Sequence, residues 1–325
     1  MQIFITGASG FVGGAATKEL LKQGHHVAAM SRSSESDERI VEMGAVPVRC
    51  DLESICAADI GDADICIHSA AFVGTWGPKD AWHQGNVVGT RRVLEAAQNA
   101  GVSRFIHIGT EAAIVHGQHI NGADETCPLA LNSPYPYCAT KAQAEQLVLA
   151  ANSGSFQTIV LRPRLVWGPG DTTLLPVIEA MANKKQWSWI DHGEAKTSST
   201  YVDNLVHAIV LALTKGTPGQ PYFILDQEVH TMREMISGMA ASRGLKLPER
   251  NMPYWLADRI GAGSEKAWRL FNLKGEPPIT RHAAMVMSHD CVLRDDKARR
   301  ELGYEPQVSF EEGMRRLQQA AEQAS

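Results

Sequence analysis

Thr6-Gly7-Ala8-Ser9-Gly10-Phe11-Val12-Gly13 is the stretch that decides the fold of this chain. Directly before it, Gln2-Ile3-Phe4-Ile5 is a short run rich in β-favouring residues and predicts a strand. Directly after it, Val12, Ala16 and Leu20 recur at helical spacing up to Gln23, and Gly24 supplies a helix-ending residue. Glycines at Gly-x-x-Gly-x-x-Gly spacing carry weight in that strand–turn–helix context and little outside it. Each has its own work: a tight turn, a close backbone approach, or close packing of helix on strand. The unpaired N–H groups and dipole of the helix start suit a pyrophosphate. Gly7, Ser9, Gly10, Phe11, Val12 and Gly13 are therefore the expected cradle of a dinucleotide.

Outward from this segment, strands alternate with helices. Further strands are predicted at His26 to Met30, Ala45 to Cys50, Asp64 to His68, Arg104 to Ile108 and Gln157 to Leu161. Helical patterns separate most of them, notably Lys79 to Ala100 and Pro136 to Ala151. Such alternation implies an α/β fold, a Rossmann-type doubly wound, mostly parallel sheet with right-handed crossovers. Ligands on such sheets bind at the carboxyl ends of the strands. The residues to inspect are thus Ser31-Arg32, Asp51-Leu52, Ser69-Ala70-Ala71 and Gly109-Thr110, besides the glycine turn. After Arg162 the alternation stops. Pro163 to Asp171 reads as a loop, and one more strand is predicted at Pro221 to Leu225. Met252 to Ser288 is rich in Trp, Met, Leu and Ile and predicts a smaller, mostly helical region over the carboxyl edge of the sheet. The expected division is 1–170 for the dinucleotide, with segments about 197–227 returning to that part, and 171–325 mainly for substrate.

Composition narrows the function classes. The 325 residues carry a net charge of −5 with both signs interspersed, so there is no nucleic-acid footprint and no polybasic membrane patch. The longest clean apolar runs, such as Ala208 to Leu213, are far too short to cross a bilayer, and no transmembrane segment is expected. The first residues read as a strand and not as a signal peptide, which leads us to expect a cytoplasmic location. The six cysteines, at 50, 56, 66, 127, 138 and 291, form no CxxC pair and are expected to be free thiols. No metal site is expected, with His116, His119 and Cys127 read as ordinary loop residues.

The chemistry is carried by Tyr137-Cys138-Ala139-Thr140-Lys141. A helix sets Tyr137 and Lys141 on one face, one turn apart. A free phenol, with a pKa of about 10, is a poor acid or base at neutral pH. A cation held nearby favours the phenolate, and burial opposes it, so the ammonium must be close. A third member is expected from the end of the fifth strand, where the Thr110 hydroxyl could bond a substrate oxygen.

Taken together, these pieces resemble the extended short-chain dehydrogenase/reductase family over nearly the whole chain. The matching segments are Thr6 to Gly13, Asp51-Leu52, His68 to Ala71, Asn86 to Thr90, Tyr137 to Lys141, Arg162-Pro163-Arg164 and Tyr201 to Asn204. A narrower likeness is to the 3β-hydroxysteroid dehydrogenase, sterol-4-carboxylate dehydrogenase and bacterial β-keto acid reductase branch. It rests on Leu161 to Asp171, Gly74-Thr75-Trp76-Gly77 and Asp295 to Tyr304. The resemblance implies Tyr137 as general acid/base, Lys141 as its tuner and ribose anchor, and Thr110 where many relatives have serine. It also implies Asp51 and Leu52 beside the adenine, Ala70, Ala71 and Pro163 lining the cofactor, and Asn86 supporting the site. One departure stands out: relatives often show two hydroxyl residues at the end of the fifth strand, whereas this chain has Gly109, Thr110 and then Glu111.

Cofactor choice can be read separately. An NAD enzyme usually has an acidic residue at the end of the second strand, bonding the ribose 2′-hydroxyl. Here Ser31-Arg32-Ser33-Ser34 stands there, which suits a 2′-phosphate and favours NADP(H) over NAD(H). The reaction expected is hydride transfer between the nicotinamide and a secondary alcohol or ketone. Trp76, Trp167 and the apolar C-terminal region suggest a bulky apolar small-molecule substrate. The rival readings are an NAD-dependent nucleotide-sugar epimerase or dehydratase, which shares the fold and the Tyr/Lys pair, and a non-catalytic NADP(H)-binding sensor. Dimers through a helix pair are usual among relatives, which makes a homodimer one candidate assembly that the sequence leaves open.

Overall fold

The computed structural model describes residues 1–78 and 80–324; Lys79, the expected start of one helix, lies outside the described residues. Seven strands form the main sheet: β1 (Gln2–Thr6), β2 (His26–Ser31), β3 (Val46–Arg49), β4 (Ile65–His68), β5 (Arg104–Ile108), β6 (Gln157–Pro163) and β7 (Gln220–Ile224). All pairings are parallel, in the order β7-β6-β5-β4-β1-β2-β3. The order turns back at β1, which leaves a crevice between β1 and β4 at their carboxyl ends. That is where a doubly wound sheet binds its ligand.

Both faces of the sheet are covered, as the near-continuous apolar strands require. Ile3, Ile5, Ile67, Ile106, Ile159, Leu161 and Tyr222 point to one face and meet α1 (Phe11–Lys22) and a helix at Val202–Ala212. Phe4, Cys66, Phe105 and Val160 point to the other, with the helices at Gly89–Asn99 and Pro136–Ala150. Following α1 in the chain, α2 is Ser34–Glu42, α3 is Gly89–Asn99, α4 is Pro136–Ala150 and α5 is Val202–Ala212.

The expected helix up to Ala100 is not one helix. His83–Val88 is a π-helical turn that leads into α3. Such widened turns inside a helix often mark functional sites, because they re-aim a side chain.

Beyond Arg162 the region is not mostly helical alone. Ile120–Ala123, Lys196–Thr197, His230–Thr231 and Cys291–Leu293 form a second, four-stranded sheet that the sequence pattern did not reveal. Its strands are two to four residues long, too short for a period to register. Trp167, Trp187, Trp189, Met232, Met235, Ile236, Met239 and Leu317 make a separate core here. The helices α6 (Tyr254–Leu270) and α7 (Arg281–Ser288) pack on each other.

The last part of the chain returns to the main sheet. Tyr304 donates its hydroxyl to the Leu225 carbonyl at 2.8 Å, Tyr222 donates to Glu301 at 2.7 Å, and Lys297 reaches Gln220 at 2.7 Å. Residues 297–304 thus pack along the edge strand β7, whose Phe223 N–H donates to Glu125 at 2.7 Å. Among the described residues no helix is long and apolar enough to cross a membrane.

Candidate active site

The glycine turn is built so that only glycine fits. Gly7 has φ +79°, and a Cβ there would stand 2.9 Å from the backbone nitrogen of Ala70. A Cβ at Gly13 would stand 2.2 Å from the Gly7 carbonyl oxygen. The loop therefore lies against the end of β4, and Thr6 Oγ1 accepts from the Ala70 N–H at 3.1 Å to hold the two together. His68 is 2.8 Å from Thr6 Oγ1 and 3.0 Å from Thr90 Oγ1, so its ring ties β1, β4 and α3 under the crevice. Gly10 caps α1 with no side-chain hydrogen bond, which leaves the first N–H groups of the helix for a ligand. A cradle that a Cβ would fill, opening on free helix N–H groups, fits a pyrophosphate. Ser9, Phe11 and Val12 complete its rim, partly exposed.

At the end of β2, Ser31 is buried and donates to the Ser33 carbonyl, while Ser33 caps α2 by accepting from the Ser36 N–H. Those two hydroxyls are in use locally. Arg32 is exposed and, among the described residues, carries no ion pair; its charge acts on Asp51. Asp51 Oδ1 accepts from the Glu53 and Ser54 N–H groups and from the Ser54 hydroxyl, so one carboxylate oxygen shapes its own turn. These bonds hold Asp51 below the usual carboxylate range. Leu52 packs against Gly89 at the start of α3, facing the same crevice rim.

On the other side of the crevice, α4 starts with Pro at its first turn and carries Tyr137 and Lys141 one turn apart. Lys141 is buried and donates to the Ile108 carbonyl at 3.0 Å. Burial lowers its ammonium to about 8, and Glu145, one further turn along, pulls it back up. Glu145 itself is fully buried in an ion pair with Arg162 on β6. Asn86, from the π turn, is buried; it donates to the Phe72 carbonyl and to Thr140 Oγ1, and accepts from the Phe72 N–H. Pro163 ends β6 in a buried position.

Tyr137 is half-buried, and its phenol is not lowered as the Lys141 pairing predicts. Burial raises it above the ordinary range, the Glu111 carboxylate raises it further, and a hydrogen bond with Thr110 works in the opposite sense. The Lys141 ammonium donates to the Ile108 carbonyl, and it is not among the groups that shift the phenol. Thr110 caps the short turn Glu111–Ile114; its hydroxyl accepts from the Ala112 N–H at 3.2 Å and donates to Glu111 Oε2 at 2.6 Å. Glu111 Oε1 accepts from Arg164 at 2.6 Å, and both side chains are buried.

A cleft of about 420 Å³ opens on Tyr137, lined by Gly74, Trp76, Tyr135, Arg269, Arg281 and His282. The Arg269 guanidinium lies over Trp76 at 4.7 Å. His282, from α7, stacks on Tyr135 with ring centres 5.0 Å apart and lies 6.0 Å from Tyr137; burial and Arg164 lower it to about 4. Trp167 is not in the cleft. It is fully buried in the C-terminal core and donates its indole N–H to Asp226 at 2.9 Å, so the substrate argument loses that residue. Sequence reasoning missed His282; Thr6, His68 and Arg164 stood in matching segments, but no role was assigned to them. His282 stands in no spacing that signals chemistry; the fold alone brings it in.

This fold and site define an NAD(P)-dependent oxidoreductase of the extended short-chain dehydrogenase/reductase type, which uses a nicotinamide dinucleotide. The chain belongs to the 3-beta hydroxysteroid dehydrogenase/isomerase family, whose model matches residues 4–254. It is 38% identical over 327 residues to the 2-alkyl-3-oxoalkanoate reductase of Stenotrophomonas maltophilia (strain K279a), covering 98% of each chain. It is 35% identical over 322 residues to the 4-hydroxy-2-methyl-3-oxo-4-farnesyl-3,4-dihydroquinoline-1-oxide ketoreductase of Stigmatella aurantiaca, covering 98% of this chain and 96% of that one. Among solved structures it is similar to the UDP-glucuronic acid 4-epimerase of Bacillus cereus in complex with NAD. There the TM-score is 0.76 at 21% identity, covering 100% of this chain and 99% of that one, a likeness of fold.

Proposed function

We propose that this enzyme interconverts a ketone and a secondary alcohol on a bulky, apolar substrate of the β-keto acid or 3β-hydroxysteroid kind, with NADP(H) preferred to NAD(H). The carrying observation is the phenol of Tyr137 at the mouth of the cleft, with Lys141 one turn behind it and Thr110 beside it. The bound nicotinamide supplies or takes the hydride. In the reducing direction Tyr137 gives its proton to the substrate oxygen as the alkoxide forms, and Thr110 shares in polarising that centre. Lys141 holds the ribose and keeps a positive charge under the site; Asn86 fixes the loop at Phe72 against α4. Gly7 to Gly13 hold the pyrophosphate, Asp51 and Leu52 the adenine, and Ala70, Ala71 and Pro163 the crevice wall. Arg32, exposed and, among the described residues, without an ion pair, is the group that would meet a 2′-phosphate. Residues 1–170 are assigned to the cofactor and most of 171–325 to the substrate.

The activities of the two relatives, a 2-alkyl-3-oxoalkanoate reductase and a ketoreductase of a farnesylated dihydroquinoline oxide, support this over a nucleotide-sugar epimerase. The Tyr137→Phe variant tests it. NADPH-dependent reduction of 2-alkyl-3-oxo acids should fall by about 10²–10⁴-fold, while cofactor affinity, read by tryptophan fluorescence, stays the same. Equal turnover in the variant would remove Tyr137 from the chemistry. NAD that copurifies with the protein and does not exchange would favour the epimerase instead.

A further inference from the structure

Two guanidinium groups line the cleft that opens on Tyr137, and they are not equivalent. Arg281 is held, because its Nε donates to Asp258 at 2.8 Å. Arg269, among the described residues, has no ion pair and no hydrogen bond; what positions it is the Trp76 ring, whose centre lies 4.7 Å from the guanidinium carbon. Glu265 stands one turn earlier on α6, at the spacing where a helical ion pair can form. Its carboxylate accepts the Arg281 backbone N–H at 2.8 Å instead, and the pair with Arg269 is not made. Trp76 belongs to a loop that is tied down, since the Trp82 indole N–H donates to the Gly74 carbonyl at 3.2 Å. A guanidinium stacks through its plane and hydrogen-bonds through its edge. The contact with Trp76 therefore orients Arg269 and leaves its N–H fork unused, in the shape that a carboxylate accepts.

We propose that Arg269, stacked on Trp76, is the residue that binds the substrate carboxylate and so selects 3-oxo and 3-hydroxy acids over neutral ketones and alcohols. The proposal deepens the ketone/alcohol reading and rests on it for its meaning in turnover. A cleft of about 420 Å³ is the size of a site for one small molecule, so a ligand that meets Tyr137 there also has Arg269 on its wall. In a 3-oxo acid the carboxyl carbon is next but one to the ketone carbon, and both groups belong in one cleft. A neutral steroid offers nothing to a free guanidinium. With the carboxylate on Arg269, the ketone is left to face Tyr137, and the alkyl parts are turned away from both polar groups. Hydrogen bonds to a charged partner are worth about 1.5–3 kcal/mol, or about 10- to 100-fold in affinity. Arg269 is exposed, so the lower end of that range is expected.

The test is one of binding. A 2-alkyl-3-hydroxy acid and its methyl ester are titrated by calorimetry into the protein with reduced cofactor present, NADPH and NADH in separate runs. Alcohol and cofactor are then both already reduced, so no hydride passes. Wild type should bind the acid about tenfold or more tightly than the ester. In Arg269→Gln the ratio should fall to about one, through loss of the acid and not gain of the ester. Arg269→Lys, which keeps the charge and loses the fork, should lie between them. The position is exposed, so these variants should fold, as circular dichroism would show. A ratio that is the same in Arg269→Gln as in wild type overturns the proposal. So does a wild type that does not prefer the acid or does not bind it, or a preference lost in Arg281→Gln and kept in Arg269→Gln. Turnover of Tyr137→Phe is read separately. Undiminished turnover there would sink the enzyme reading and leave the acid/ester ratio to decide this one, so the two failures are told apart.

Discussion

Asn86 donates to Thr140 Oγ1 at 3.2 Å, across 54 positions of sequence, and the two side chains are buried together. Thr140 in turn donates to the Pro136 carbonyl, so the bond reaches the turn of α4 that carries Tyr137. Asn86 also holds Phe72 by two hydrogen bonds, joining the loop at the cleft to the same helix. An alanine at 86 leaves the Phe72 N–H and carbonyl short of a partner and frees the loop. Asn86→Ala should lower kcat about tenfold or more and destabilise the fold by about 1–3 kcal/mol. Steady-state kinetics beside a denaturant titration would show both, and unchanged kcat would place Asn86 outside the site's support.

The two glycines of the turn should respond differently. A Cβ at Gly13 would stand 2.2 Å from the Gly7 carbonyl, a backbone atom that cannot give way; at Gly10 the nearest atom is the same oxygen at 3.2 Å. Gly13→Ala should lose cofactor binding and thermal stability together. Gly10→Ala should keep the stability and weaken the cofactor by less. Isothermal titration with NADPH and a melting curve separate the two, and equal behaviour would contradict the close approach.

Arg32 is the one cation expected at the 2′-position. Arg32→Glu should lower the ratio of NADPH to NADH kcat/KM by about 10²-fold or more, because a carboxylate repels the phosphate as well as failing to bind it. Arg32→Ala should give an intermediate value. A ratio that does not move would return cofactor choice to another residue.

Two buried histidines, His68 and His107, and the half-buried His282 make the fold sensitive to acid. His68 is lowered to about 3 and His282 to about 4, first by burial, while His107 is lowered by burial and by Lys141. Among the described residues both ring nitrogens of His107 lack a hydrogen-bond partner. The unfolded chain takes up protons on these rings near pH 6.5 and the folded chain does not. Their stability contribution is therefore complete above pH 6.5 and is lost as the pH falls toward 4, at about 1.4 kcal/mol per unit for each ring. Melting temperature against pH should fall steeply through that window. His282→Phe should make the fall shallower.

The glycine turn, β1 to β6 and the Tyr137/Lys141 pair were legible because each lies inside a long alternating pattern, where period and position agree. Arg104 to Ile108 matches β5 residue for residue. The four-stranded sheet was not legible, since strands of two to four residues carry no period and pair with segments up to 171 residues distant, as Ile120 does with Cys291. Trp167 misled because an indole beside a loop looks like a pocket wall, whereas Asp226 takes its N–H inside a core. Glu111 was visible as an irregularity after β5, but its meaning required Arg164, 53 positions away.

The cover along β7 bears on how the molecule is made. Glu301 and Tyr304 pack along an edge strand that ends 77 and 80 residues earlier, and the centre of the sheet is complete long before either is synthesised. A nascent chain leaving the ribosome therefore displays β6 or β7 as a less covered edge until residues 297–304 have emerged. Such an edge recruits other strands. The penalty for interrupted translation in this gene would be aggregation, more than the loss of a substrate lobe.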